Sequence, residues 1–161
     1  MKKLILNSIK VFNKVMYPEY DVNNSDYPQI TILKCGIVQK IFGFNRHVPW
    51  PVHRSSRISA CSKIVPGTRT PGLSRNCHID GRNGIVFGKN VWVGPHAKII
   101  SMNHDVNNYN EYTKAKSIRI GDNCWLGASA IILSGVELGN HTVVAAGAIV
   151  TKSFKEGNQI I

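Results

Sequence analysis

Acidic side chains are scarce: 9 Asp and Glu stand against 20 Lys and Arg, a formal net charge of +11. Such a chain calls for an anionic partner, and nucleic acid, a membrane surface and a polyphosphate cofactor are the classes to weigh. Aromatic residues are also few, at 8%, and do not alternate with basic ones, so platforms for stacked bases are lacking. No basic run exceeds Lys2-Lys3 and no nucleic-acid-binding motif occurs, which sets nucleic acid aside. No apolar run reaches the roughly 18 residues of a membrane span. The stretch Lys2 to Met16 lacks a cleavage pattern of small residues, so no secretory signal is expected. Cys35, Cys61, Cys77 and Cys124 form no C-x-x-C pair. They are expected to be reduced core residues of a cytoplasmic protein, a redox or metal role being the alternative.

What the chain does have is a period of six. Aliphatic residues recur at Ile120, Leu126, Ile132, Leu138, Val144 and Val150, with Gly121, Gly127 and Gly139 following three of them. A helix repeats apolar residues at three and four, and a half-buried strand at two, so a strict six implies a short strand plus a corner, stacked on copies of itself. The position four after each aliphatic is mostly small: Cys124, Ala130, Val136, Thr142 and Ala148. One bulky and one small inward residue per hexad suit a solenoid of three flat faces, with glycine supplying unusual dihedrals at the corners. The same frame runs upstream through Phe87, Val93 and Ile99, with Val91 and Ala97 in the small slot. It continues more raggedly through Val52, Ile58, Ile64, Leu73 and Ile79. The pattern predicts a parallel β-helix over 50–154, of about five triangular coils of roughly 18 residues each. Residues 1–49 form an N-terminal helical and irregular cap, and 155–161 a C-terminal tail. At 161 residues and 43% apolar content one domain accounts for the chain.

The segment Lys2 to Met16 reads as an amphipathic helix. Leu4, Ile5, Ser8, Ile9, Val11, Phe12, Val15 and Met16 fall broadly on one side, and Lys3, Asn7, Lys10, Asn13 and Lys14 on the other. Two roles stand open: a cap over the open end of the solenoid, which would otherwise pair with other chains, or a basic interfacial helix on anionic lipid.

The repeat breaks once. Ile99 and Ile120 are 21 residues apart, not a multiple of six, and the intervening 102–117, MNHDVNNYNEYTKAKS, is polar and non-repetitive. Insertions into solenoids leave the stacked core alone and extend from one face, where they commonly line a binding surface. This loop opens with Asn103-His104-Asp105, putting an imidazole where the regular wall gives way.

The run IRIGDNCWLGASAIILSGVELGNHTVVAAGAIVTKSF, residues 118–154, resembles the hexapeptide-repeat acyltransferases, and GIVFGKNVWVGPHAKIISMNHD, residues 84–105, resembles the stretch carrying their catalytic histidine. The subgroup it is most similar to is the sugar O-acetyltransferases, including the maltose and galactoside enzymes and those that decorate bacterial surface polysaccharides. The resemblance implies a left-handed parallel β-helix, an exception to the right-handed crossover rule. It also implies homotrimers with active sites in the clefts between subunits, and acetyl-coenzyme A as acyl donor with no metal.

In that role His104 would act as general base, since a neutral imidazole suits proton removal from an attacking hydroxyl. Backbone N–H groups near Gly127 would stabilise the oxyanion, with no acyl-enzyme required. Asp105 either orients the imidazole or contacts the acceptor, or else caps the loop. By resemblance, Ala128 and Ala146 touch coenzyme A, and Thr151 and Lys152 reach its lower end, where an ammonium faces phosphate. Trp125 is an outward position by the frame, so its ring implies a ligand or a subunit contact. His47, His53, His78, His96 and His141 lack the setting of His104 and are expected to be structural.

Two departures bear on the site, the first on cofactor contacts and the second on the acceptor. The chain lacks the glycine-proline-alanine segment that usually follows the last coil, and the interval from Ile79 to Phe87 is eight rather than six. The acceptor-binding asparagine therefore has no secure counterpart, and Asp80 and Asn83 are the candidates. Two rival readings come from other classes: a non-catalytic β-helix scaffold, and a hexapeptide-repeat carbonic anhydrase, whose histidine spacing the chain does not reproduce. Peripheral contact with the inner membrane face would suit the N-terminal helix and a lipid-linked acceptor.

Overall fold

The computed structural model describes residues 2–161, with side chains from residue 4 onward. Two helices come first, α1 (Lys2–Met16) and α2 (Gln29–Gly36), the second continued by a π-helical turn over Ile37–Ile41. The strands follow in order: β1 (Arg57–Ser59), β2 (Ile64–Val65), β3 (His78–Asp80), β4 (Ile85–Phe87), β5 (Trp92–Val93), β6 (Lys98–Ile100), β7 (Asn103–His104), β8 (Tyr112–Thr113), β9 (Ile118–Ile120), β10 (Trp125–Leu126), β11 (Ile131–Ile132), β12 (Glu137–Leu138), β13 (Thr142–Val144), β14 (Ile149–Val150) and β15 (Gln159–Ile160).

Apart from β7 and β8, these strands stack into three parallel sheets. Face one is β1-β3-β6-β11-β14, face two is β2-β4-β9-β12, and face three is β5-β10-β13-β15. From β3 to β14, the hairpin aside, the chain visits the faces in that order and returns to the first, which is the topology of a parallel β-helix. Register carries the periodicity into three dimensions: Ile58, Ile79, Ile99, Ile132 and Val150 form one inward ladder. Leu126 aligns with Val93 and Val144 on another face. The small slots are filled as the pattern requires, with Cys77, Val91, Ala97, Cys124, Ala130 and Val136 buried. Each fully buried aliphatic contributes roughly 1.5–3 kcal/mol relative to exposure. The pairing also runs past the predicted end of the repeat, because β15 pairs with β13 through Thr142–Gln159 and Val143–Ile160.

The corner chemistry differs from expectation. Left-handed backbone falls on the residue just before each small inward position, and there it is Asn90, Asn123, His141, Asn76, His96 and Ser129 as well as Gly84, Gly135 and Gly147. Asparagine and histidine tolerate this region better than most residues, which accounts for His96 and His141. The glycines that follow the bulky aliphatics serve another purpose. A Cβ on Gly94 would lie 2.6 Å from the Ala128 nitrogen, and one on Gly127 2.6 Å from the Ala146 nitrogen. They permit close stacking of coils, not a special dihedral.

The irregular Ile79–Phe87 interval is a wide corner between faces one and two. In register Ile64 matches Ile85 and Ile118, while Phe87 matches Ile120. Ile64 therefore occupies the slot two residues before the bulky position of the sequence frame. The corner is widened in the first coil by the short helix Cys61–Lys63 and in the second by Gly81 to Gly84. At the same corner of the next coil the chain leaves the prism as a hairpin, β7 pairing antiparallel with β8 through Asn103–Thr113 and His104–Tyr112.

Within the N-terminal region it is α1 that departs from the capping expectation. The core is continued by Tyr17, Tyr20, Val22, Ile32, Val48 and Trp50, all buried in one cluster with the coil interior. Gln39, also buried, ties this cap together: its amide donates to the carbonyls of Asn45, Val48 and Trp50 and accepts from the Val52 N–H and the Tyr17 hydroxyl. Of the apolar side of α1 only Met16 packs against this cluster. Leu4, Ile5, Val11, Phe12 and Val15 are exposed, and the helix is fastened from its other side by Asn13, whose Nδ2 donates to the Gln29 carbonyl at 2.9 Å. The side chain of Lys3, expected on the polar side, lies outside the described residues.

Candidate active site

Asn103 and His104 leave face one as the first strand of the hairpin, and the polar sequence that follows closes its turn on itself. The Asp105 carboxylate accepts from the N–H groups of Asn107 and Asn108, and its own N–H donates to the Glu111 carbonyl at 3.0 Å. Of the roles open to it, Asp105 takes that of loop cap. The group that orients the imidazole is a main-chain carbonyl: His104 Nδ1 lies 2.6 Å from the Tyr109 oxygen. A carbonyl only accepts, so Nδ1 is the donor, and in the neutral ring Nε2 is the nitrogen left as acceptor. The ring is exposed and is flanked by Tyr112, with centroids 4.6 Å apart and planes tilted by 39°.

Beneath the hairpin, the wide corner supplies a charged pair that the sequence did not single out. Asp80 is buried and receives Arg82 Nη2 at 2.6 Å and Nε at 3.0 Å, together with the Arg82 N–H at 3.1 Å. Burial works to raise the Asp80 carboxyl, but the Arg82 hydrogen bonds and charge outweigh it and hold the group below the usual carboxylate range. The guanidinium is raised in turn by its bond to Asp80. Arg82 Cζ sits 4.8 Å from the Tyr112 centroid, so Asp80, Arg82, Tyr112 and His104 form a continuous row. Only the pairing of β7 with β8 brings Tyr112 beside His104; the Asn107-Asn108 turn residues were the available signal.

Asn83 completes the corner as a clamp. Its Nδ2 donates to the carbonyls of Ser101 and Thr113, at 2.8 and 3.2 Å, and so ties both ends of the hairpin to the coil below. Asp80 and Asn83 thus share the corner beneath the hairpin, but the Asp80 carboxylate and the Asn83 amide nitrogen are already engaged by the protein itself.

The remaining candidates stand elsewhere on the prism. Thr151 and Lys152 are exposed on the same edge as the hairpin, after β14. Trp125 points outward on face three, 56% exposed, in register with the half-exposed Trp92. Gly127, Ala128 and Ala146 lie at the corner between faces three and one. One chain therefore does not bring the histidine and the small-residue corner together, because face one separates them. The Gly127 N–H is also committed to the Val144 carbonyl at 2.8 Å, which removes it as an oxyanion donor. Ala128 and Ala146 are exposed, and among the described residues their N–H groups donate to no backbone carbonyl.

Residues 117–152 match the hexapeptide repeat of succinyl-transferase. A stretch of 80 residues is 35% identical to the galactoside O-acetyltransferase of Lactococcus lactis subsp. lactis (strain IL1403), covering 45% of this chain and 36% of that protein. The galactoside O-acetyltransferase of Escherichia coli (strain K12) is 34% identical over 73 residues, covering 44% of this chain and 36% of its own. The chain thus matches little more than a third of the length of these relatives. The crystal structure of a galactoside acetyltransferase in complex with coenzyme A superposes with a TM-score of 0.62 at 22% identity, over 96% of this chain and 76% of that one. The sequence likeness is to hexapeptide-repeat acetyltransferases, and the likeness in fold agrees with the left-handed β-helix that the resemblance implies.

Proposed function

We propose that the chain is, or is part of, an acetyl-coenzyme A-dependent O-acyltransferase that acetylates a sugar hydroxyl, in bacterial surface polysaccharide or another glycan. The observation that carries the reading is the exposed His104 ring, held by the Tyr109 carbonyl so that Nδ1 is the donor and Nε2, in the neutral ring, the acceptor. That is the form a general base needs at neutral pH.

Acetyl-coenzyme A, as donor substrate, supplies an acyl carbon activated by a thiolate leaving group. The chain's own residues do the rest. His104 Nε2 takes the acceptor hydroxyl proton as the oxygen bonds to the acyl carbon, and the imidazolium returns that proton to the departing sulfur. Base catalysis of this kind is worth on the order of 10² to 10⁴ in rate. The Asn83 clamp and the Asp105 cap hold the hairpin, and the Arg82 guanidinium, fixed by Asp80, offers its outer edge to an acceptor oxygen.

The corner bearing Ala128 and Ala146 suits the amide-bearing pantetheine arm. Two N–H groups without backbone partners, on exposed alanines, stand in adjacent coils, and beside them a Cβ on Gly147 would meet nothing within 4 Å. Trp125 borders the same corner, and Lys152 is the cation suited to phosphate. Since face one lies between this corner and His104, we assign the complete site to the cleft between two copies, in a homotrimer. Release of free thiol from acetyl-coenzyme A with a panel of sugar acceptors tests the activity. Acceptor-dependent release is expected; none with any glycan or nucleotide sugar would overturn the reading.

A further inference from the structure

The stripe of α1 that leaves the protein uncovered has a composition that names its partner. Leu4 is 76% exposed, Val11 66% and Val15 73%, with Ile5 and Phe12 more than half exposed beside them. Their spacing puts all five on one side of the helix, roughly 22 Å long. The helix is fastened along one flank of this stripe, through partly buried Ile9, buried Asn13 and partly buried Met16. A run of apolar side chains this long is not left bare on an ordinary soluble surface.

The helix also carries Lys2, Lys3, Lys10 and Lys14 and no acidic residue. Positions 3, 10 and 14 share one backbone side, adjoining the stripe. A second copy fits poorly: laying one stripe against another would bring lysines together with no carboxylate on either helix to offset them. A membrane surface with anionic headgroups supplies both an acyl boundary for the stripe and negative charge for the ammonium groups. No helix among the described residues is long and apolar enough to cross a membrane.

We propose that α1 is an interfacial helix that seats this protein on an anionic lipid surface. The proposal stands apart from the acyl-transfer reading, since no residue of α1 belongs to that site.

The test is co-sedimentation of the full chain with phosphatidylcholine vesicles made with and without phosphatidylglycerol. The chain is expected to pellet with the anionic vesicles at low salt, to remain in solution with phosphatidylcholine alone, and to be released by added salt. Leu4→Ser, Phe12→Ser and Val15→Ser combined should lower binding at least about tenfold without affecting folding, because these side chains are exposed. Lys10→Glu with Lys14→Glu, which leaves the stripe intact, should do the same. Absence of binding to the anionic vesicles, or binding that survives both variants, overturns the proposal. So does a loss of lipid-free oligomeric mass in the serine variant, which would identify a second copy as the occupant.

Discussion

His104 Nδ1 donates to the main-chain oxygen of Tyr109 across 2.6 Å, five residues further along the same hairpin. Because the acceptor is backbone, the tautomer of the imidazole depends on the shape of the turn and not on a side chain bonded to the ring. The turn in turn depends on Asp105, whose carboxylate accepts from the N–H groups of Asn107 and Asn108.

Asp105→Ala should therefore act through the hairpin. Loss of the cap is expected to cost about 0.5–2 kcal/mol locally and to lower kcat about tenfold, with KM for acetyl-coenzyme A unchanged. Steady-state kinetics combined with limited proteolysis between residues 103 and 113 checks this. An unchanged kcat alongside faster cleavage would separate the turn from the chemistry.

Arg82→Met should expose the sign of the Asp80 pair. In the parent chain Asp80 is held below its ordinary value, so the pair's stability is present above the unfolded carboxyl value of about 4 and is lost as pH falls through the folded one. Without the guanidinium, burial prevails and the carboxyl rises. The variant should lose about 1–3 kcal/mol at pH 7, and its acid-unfolding midpoint should move to higher pH. Circular dichroism across a pH series reads both effects.

Two glycines of neighbouring corner positions should behave differently. Gly127→Ala drives a Cβ to 2.6 Å from the Ala146 nitrogen, where only backbone could yield, and is expected to cost about 3 kcal/mol or more. Gly147→Ala meets open space and bears only the penalty of φ 74°, about 1–2 kcal/mol. Thermal unfolding should rank them in that order.

The wall of the prism was legible because inward positions such as Ile99, Leu126 and Ile132 are forced by stacking, and stacking imposes the period directly. The insertion and its leading histidine were legible as a break in that period. Contacts made across the corner were not. Arg82 and Tyr112 are 30 residues apart and meet only because the hairpin folds back over a corner two residues too wide. Amphipathicity in α1 likewise revealed a stripe without revealing its cover; the cap is built instead from Tyr17, Ile32 and Trp50. Glycine after Ile120, Leu126 and Leu138 suggested dihedral freedom, where the structure needs room for the next coil.

Separation of His104 from Ala128 and Ala146 by face one predicts complementation between copies. His104→Ala and Ala128→Trp chains should each be inactive alone. Co-expressed chains should recover activity, since some clefts then pair an intact histidine with an intact alanine corner. Failure to recover activity in verified mixed oligomers would confine the site to one chain.

The most direct measurement is acceptor-dependent thiol release by wild type, His104→Ala and His104→Gln, with coenzyme A affinity followed by calorimetry. A fall of about 10² to 10⁴ in kcat for both variants, at unchanged affinity, is the result expected of a general base. Rates equal to wild type would contradict it.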